Sequence, residues 1–351
     1  MHHHHRKAFR PVLGAGTGAL LASGLLAVCT THQSVRPVSD IRAVAAPAPV
    51  MEAAPTPADG RIYVTNQLDD TLSVIDARTN KVTATVPAGT APEGVAISAD
   101  HGHLYIADNG SARVSVLSTA NNKITDTVPV GKDPTGVALS PDGRQLYVAD
   151  GGSDDVSVID TQANRVTATI PVGVSPVDLA VSHDGTAVYV ANQGSANLSV
   201  IDPRTNRVVR TLPAGRYPVA VAVAPDGGSA YVANEVNASV SVVSPSTGKI
   251  AAIVPTGQGP FDVTLAPDGR AVYAAVLGPG NVSEINTRTH HVSRSVNVGP
   301  PGTDPFRIAV TRTAIYVADQ AASTLTVIDP GSLKVTATVN VGNSPYGIAT
   351  T

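Results

Sequence analysis

Tyr63-Val64-Thr65-Asn66 decides the reading of this chain, because it returns. Tyr105-Ile106-Ala107-Asp108, Tyr147-Val148-Ala149-Asp150, Tyr189-Val190-Ala191-Asn192, Tyr231-Val232-Ala233-Asn234 and Tyr273-Ala274-Ala275-Val276 follow at intervals of 42 residues, and Tyr316-Val317-Ala318-Asp319 arrives one residue late. Seven copies at a nearly fixed period mark a repeat architecture in which no unit buries its apolar face alone. Around the third copy stand Gly136–Ser140, a Pro141-Asp142-Gly143 turn, Gln145–Ala149, Asp155–Asp160 and Arg165–Ile170. Each run is short, rich in β-branched residues and bounded by turn residues, so each unit reads as four antiparallel strands, A to D. Asp-Gly recurs at 142, 184, 226 and 268, with Asp100-His101-Gly102 as a variant; it is a hairpin signal because glycine takes positive φ at little cost. The spaced oxygen ligands of a calcium loop are absent from these turns. Strand D closes with Pro87, Pro129, Pro171, Pro213 and Pro255, as suits an outer edge strand that must not recruit another chain.

Four-stranded units at this period predict an all-β, seven-bladed β-propeller. Asp59-Gly60 is a turn lacking the A strand before it, and Pro345–Thr350 reads as an A strand lacking a B strand after it. The ring is therefore expected to close through a composite blade, three strands from Arg61–Val86 and one from the carboxy terminus. The absence of Trp-Asp disfavours WD40 repeats, and the period disfavours kelch. The copies resemble the YVTN family of seven-bladed propellers of bacterial and archaeal exported or surface proteins, over residues 59 to 351. That resemblance implies the fold and says little about function.

Ahead of the repeats, Arg6, Lys7 and Arg10 precede an uncharged, glycine-bearing apolar run from Val12 to Val28. Residues 1–29 read as a secretory signal. Leu26-Ala27-Val28-Cys29 resembles a lipobox, with Val28 departing from the usual small residue; lipidation of Cys29 and plain secretion both stay open. His2–His5 is either a tag remnant or a native basic start. Residues 30–58, carrying Pro37, Pro47, Pro49, Pro55 and Pro57, read as a Pro/Ala-rich disordered linker. The expected location is extracytoplasmic, secreted or lipid-anchored at the cell envelope.

Residues 59–351 carry 19 Lys and Arg against 25 Asp and Glu. A mildly acidic domain lacks the electrostatic footprint of a nucleic-acid binder. Positions where one repeat departs from the others point to function. After the proline that opens each A strand stand Glu93, Thr135, Val177, Val219, Phe261, Phe306 and Tyr346, then Gly94, Gly136, Asp178, Ala220, Asp262, Arg307 and Gly347. Glu93, Asp178, Phe261, Asp262, Phe306, Arg307 and Tyr346 are thus the candidate ligand-binding residues of a channel mouth; equally, Asp262 and Arg307 could pair while the aromatics plug the hole. Blade 6 is irregular: Val276 replaces the usual Asn or Asp, and the loop Gly299–Asp304 is three residues longer than its equivalents.

His101, His103, His183, His290 and His291 fall on or beside turns of the opposite face, so no metal site and no cofactor are expected. Gly-x-Ser-x-Gly, His-Glu-x-x-His and phosphate-cradling loops do not occur, and no catalytic residue is assigned. The reading is an exported, non-enzymatic binding or scaffold protein, expected to be a monomer, whose partner is an envelope protein or a small molecule and whose membrane contact would be a lipid anchor. The alternatives are a lactonase- or lyase-like propeller enzyme using Asp178 or Asp262 as base and Arg307 as anion stabiliser, and single-stranded DNA binding, which the charge and the scarcity of aromatics disfavour.

Overall fold

The computed structural model describes residues 60–300 and 302–351. The signal, Cys29, the linker and the His run lie outside the described residues. Seven sheets of four antiparallel strands form the propeller, with one short 3₁₀ turn at Asn109–Ser111. Blade 1 is composite: Pro345–Thr350 pairs with Arg61–Asn66, followed outward by Thr71–Asp76 and Lys81–Pro87. The chain end is sewn in by Thr351, whose hydroxyl accepts the N–H of Arg61 at 2.9 Å and of Gly60 at 3.1 Å. No helix among the described residues is long and apolar enough to cross a membrane.

The core lies between blades. Each apolar cluster joins one blade to the next, as where Tyr147, Val156 and Val158 of blade 3 meet Leu179, Val190 and Ile201 of blade 4. The cluster of Ile62, Val64 and Ile75 with Tyr316, Leu325 and Val327 closes blade 7 onto blade 1. This arrangement explains why the repeated tetrapeptide is buried along its whole length in every blade, whereas strand D is largely exposed. Its final Asn or Asp is a structural clamp. Asn66, Asn192 and Asn234 each donate from Nδ2 to a serine of strand C at 2.9 Å. Asp108, Asp150 and Asp319 instead accept from Ser115, Ser157 and Thr326 at 2.6 Å. The other side of the clamp holds the loop leading to the next blade, where Gly342 and Gly173 donate to Asn66 and Asn192. Val276 cannot form this clamp, which makes blade 6 the exception. The expected Asp-Gly hairpins are present, with Gly143, Gly185, Gly227 and Gly269 at φ between 68° and 70°.

Candidate functional site at the channel mouth

Seven A strands ring the axis: Pro345–Thr350, Pro92–Ile97, Pro134–Leu139, Pro176–Val181, Pro218–Val223, Pro260–Leu265 and Pro305–Val310, in blades 1 to 7. Each shifts register against its B strand immediately after the opening proline. Such a bulge breaks the strict alternation of faces and re-aims side chains. Two successive residues of each A strand can therefore contribute to the mouth, and these are the two positions singled out by the sequence.

The structure brings the sequence-predicted residues together. Phe261 and Phe306 stack with ring centroids 3.7 Å apart, and Phe306 meets Tyr346 edge-on at 4.9 Å. Beneath this aromatic cap Arg307 reaches across the axis. Its guanidinium lies 3.4 Å from Asp262 in the neighbouring blade and 3.8 Å from Asp178 in blade 4. It also lies 3.4 Å from the Tyr346 hydroxyl and 5.2 Å from the centre of that ring. The pairing of Asp262 with Arg307 and the aromatic cover expected of a plugged channel are thus both present. Below them a cavity of about 130 Å³ has Gly94, Gly136 and Gly347 on its wall together with Asp178, Asp262 and Arg307. Those glycines let the inner strands of blades 1 to 3 crowd together: a Cβ on Gly94 would sit 2.3 Å from the Thr135 carbonyl oxygen, and one on Gly347 2.4 Å from that of Glu93.

The carboxyl groups differ in what occupies them. Asp262 accepts the backbone N–H of Ile308 at 2.8 Å and of Val263 at 2.9 Å in addition to Arg307. Asp178 accepts the N–H of Val221 at 3.0 Å. Burial raises both, Asp262 to about 6, against the opposing attraction of Arg307. Both carboxylates are committed to holding blades and guanidinium in place, so neither is suited to the base role that the sequence allowed them. Burial would pull Arg307 down, but Tyr346, Asp262 and Asp178 together hold it above its usual range.

Glu93, in blade 2, has the remaining carboxyl. Its Oε1 accepts Nε2 of Gln67 at 2.7 Å, while its buried Oε2 meets no hydrogen-bond donor of ordinary geometry. Burial pushes it up to about 7, against the pull of Arg307, Gln67 and Tyr346. Burial likewise raises Tyr346, helped by the negative charge of Glu93. Sequence reading placed Glu93 at the mouth without distinguishing it; the signal was its being the one glutamate among the seven equivalent positions. Gln67, which orients it, sits just after the first tetrapeptide and was not singled out. Among the described residues no cluster of three or more His, Cys, Asp or Glu could hold a metal ion.

A family model described as "Lactonase, 7-bladed beta-propeller" matches residues 52–223. That span includes Glu93 and Asp178 but stops short of Phe261, Asp262, Phe306, Arg307 and Tyr346. Among curated proteins, the PE-PGRS family protein PE_PGRS18 of Mycobacterium tuberculosis is 56% identical over 39 residues, 11% of this chain and 8% of that one. The chain therefore spans only a small part of that relative. Among solved structures, a functionally unknown protein from Desulfotomaculum acetoxidans superposes with a TM-score of 0.71 at 17% identity, covering 83% of this chain and 98% of its own. Kuenenia stuttgartiensis hydrazine synthase gives 0.66 at 23% identity, over 73% and 88%. The dihydro-heme d1 dehydrogenase NirN in complex with DHE gives 0.65 at 16% identity, over 84% and 76%. At these identities the likeness concerns the fold alone.

Proposed function

We propose that the mouth is an acid–base site for a small electrophilic carbonyl compound, and that its chemistry is hydrolysis of a cyclic ester. One observation carries this reading: Glu93 is a buried carboxyl raised to about 7, its Oε2 without a hydrogen-bond partner of ordinary geometry, and it is drawn on by the Arg307 guanidinium and the Tyr346 hydroxyl. A group titrating near the working pH is the most effective proton shuttle. A fixed cation and hydroxyl nearby stabilise charge developing on a carbonyl oxygen. The likeness to the lactonase family model supports the same reaction class.

In this scheme ionised Glu93 takes a proton from water as its oxygen bonds to the ester carbonyl carbon. Arg307 and Tyr346 donate hydrogen bonds to the resulting oxyanion. Collapse breaks the ring carbon–oxygen bond, and Glu93 returns the proton to the departing alkoxide, leaving a hydroxy acid. Phe261 and Phe306 supply an apolar rim for the carbon skeleton. A panel of five- and six-membered lactones, followed by base uptake at fixed pH, tests the proposal. Turnover above the spontaneous rate that falls about 100-fold or more in Glu93→Gln is expected, since general acid–base catalysis contributes on that order; turnover indifferent to this substitution refutes the assignment.

A second reading, an exported YVTN-type binding or scaffold propeller, draws on the stacked Phe261–Phe306 pair and the ion-paired Asp178 and Asp262, which in this reading would plug the axis. The amino-terminal sequence supports an extracytoplasmic location for either reading. A protein that turns over no lactone yet is stabilised by an envelope fragment in a thermal-shift screen would favour this one.

A further inference from the structure

On the face opposite the mouth, the A-to-B turns form a rim. Successive Asp-Gly turns approach one another: a Cβ on Gly185 would lie 3.4 Å from Pro141, and one on Gly269 3.5 Å from Pro225. Blade 7 breaks the rim. From Val310 to Tyr316 its chain advances six residues, where Leu265 to Tyr273 in blade 6 takes eight, and the shortened turn closes through the Thr311 N–H bonded to the Ala314 carbonyl. Between blades 6 and 7, beside this short turn, opens a groove of about 600 Å³. That volume lies within the range of pockets for small organic ligands.

A second departure from the repeat falls in the same place. Strand C of blade 6 carries Glu284 where the other blades have Val74, Val116, Val158, Val200, Val242 and Val327. Opposite it on strand D is Arg294. Glu284 keeps only 13% side-chain exposure and is ion-paired to Arg294, whose guanidinium also donates to the carbonyls of Pro330 and Gly331 in blade 7. Arg294 keeps 42% exposure, so the pair is half-buried, and its carboxylate stands where the six other blades are aliphatic. It gives the groove a polar, charge-balanced wall. Two further guanidiniums line the groove from the two blades. Arg270, 88% exposed, stands 4.0 Å from Asp268, and Arg312 is exposed on the short turn. In a domain of net negative charge, this is a local excess of cation beside the apolar Ala266 and Val310.

We propose that this groove is a second binding site, for a small organic anion whose carboxylate or phosphate head is held by Arg270 and Arg312 while its apolar body lies against Ala266 and Val310. Planar guanidinium forks suit both head groups. The site is independent of the mouth and of any reaction there.

Titration calorimetry on the full chain at low salt, with benzoate in one arm and phenyl phosphate in the other, tests the proposal and separates the two head groups. At least one probe should bind, and Arg270→Ala with Arg312→Ala should weaken it tenfold or more without shifting the melting temperature, since both side chains are solvent-facing. Inserting Pro-Asp after Arg312, to restore the turn length of the other blades, should abolish binding in a protein that still melts cooperatively. Absence of heat in both arms, or affinity unchanged in the double-arginine variant, would overturn the assignment.

Discussion

Arg307→Met tests the axial network most severely. The substitution keeps an unbranched apolar stem and removes the guanidinium lying 3.4 Å from Asp262 and 3.8 Å from Asp178. Two carboxylates then face the axis without their cation. Removing one partner of a buried ion pair costs about 3–5 kcal/mol, because the remaining charge stays desolvated. The loss has a predictable pH dependence. Burial already holds Asp262 at about 6 with Arg307 present, and without it both aspartates move further up. A carboxyl whose folded pKa exceeds its unfolded value contributes stability at low pH that disappears as pH rises through the folded value. The variant should therefore lose about 3–5 kcal/mol at pH 8 and substantially less at pH 5, where the carboxyls can take up protons. Adding Asp178→Asn and Asp262→Asn should restore most of the loss at pH 8. Urea denaturation at the two pH values measures all of this; a deficit below about 1 kcal/mol at pH 8, or one that does not change with pH, would refute the view of Arg307 as the counter-ion of the axis.

Other expectations follow from the same geometry. Burial raises Asp108 to about 6 and Asp150 and Asp319 to about 7; their stabilising protonation is complete at acid pH and lost as pH climbs through those values, so the melting temperature should fall between pH 5 and pH 8. The triple Asp→Asn variant should flatten that slope in scanning calorimetry, since Asn66, Asn192 and Asn234 already fill the position in other blades, and an unaltered slope would locate the effect elsewhere. Deleting Pro345–Thr351 strips the innermost strand from blade 1 and removes Tyr346 from the mouth; cooperative melting should be lost, and a truncated chain melting with the intact one would contradict the composite closure. Gly347→Ala places a Cβ 2.4 Å from the Glu93 carbonyl oxygen and should cost about 1–3 kcal/mol by overpacking, measured by chemical denaturation.

The fold was legible because its determinants are local and repeated: the tetrapeptide returns in all seven blades, the terminal proline of strand D in five, and the Asp-Gly turn between strands A and B in four with one variant. Closure was legible from one missing and one surplus A strand. At the mouth, the clustering of Phe261, Phe306 and Tyr346 in a chain poor in aromatics pointed to their contact, and the opposite charges of Asp262 and Arg307 pointed to their pairing. The reach of Arg307 to Asp178 was not legible, because it depends on the width of the channel and on the three glycines that narrow it on one side. The distinction among carboxylates was equally hidden, since backbone N–H groups decide it by engaging Asp178 and Asp262 and sparing Glu93 Oε2. The groove between blades 6 and 7 was obscured by arithmetic: a loop three residues longer and a turn two residues shorter leave Tyr316 only one residue out of register.

The chain contains four glutamates, Glu52, Glu93, Glu235 and Glu284, so selective ¹³C labelling of the glutamate side-chain carboxyl yields a spectrum that Glu93→Gln can assign. A titration of that spectrum from pH 4 to pH 9 is the most direct test of the acid–base account. The signal missing from Glu93→Gln should titrate near 7 in the parent protein, as the burial of Glu93 beside Arg307 and Tyr346 requires. If it titrates in the ordinary carboxylate range, about 4, Glu93 is a solvated side chain and the mouth has no proton shuttle at neutral pH.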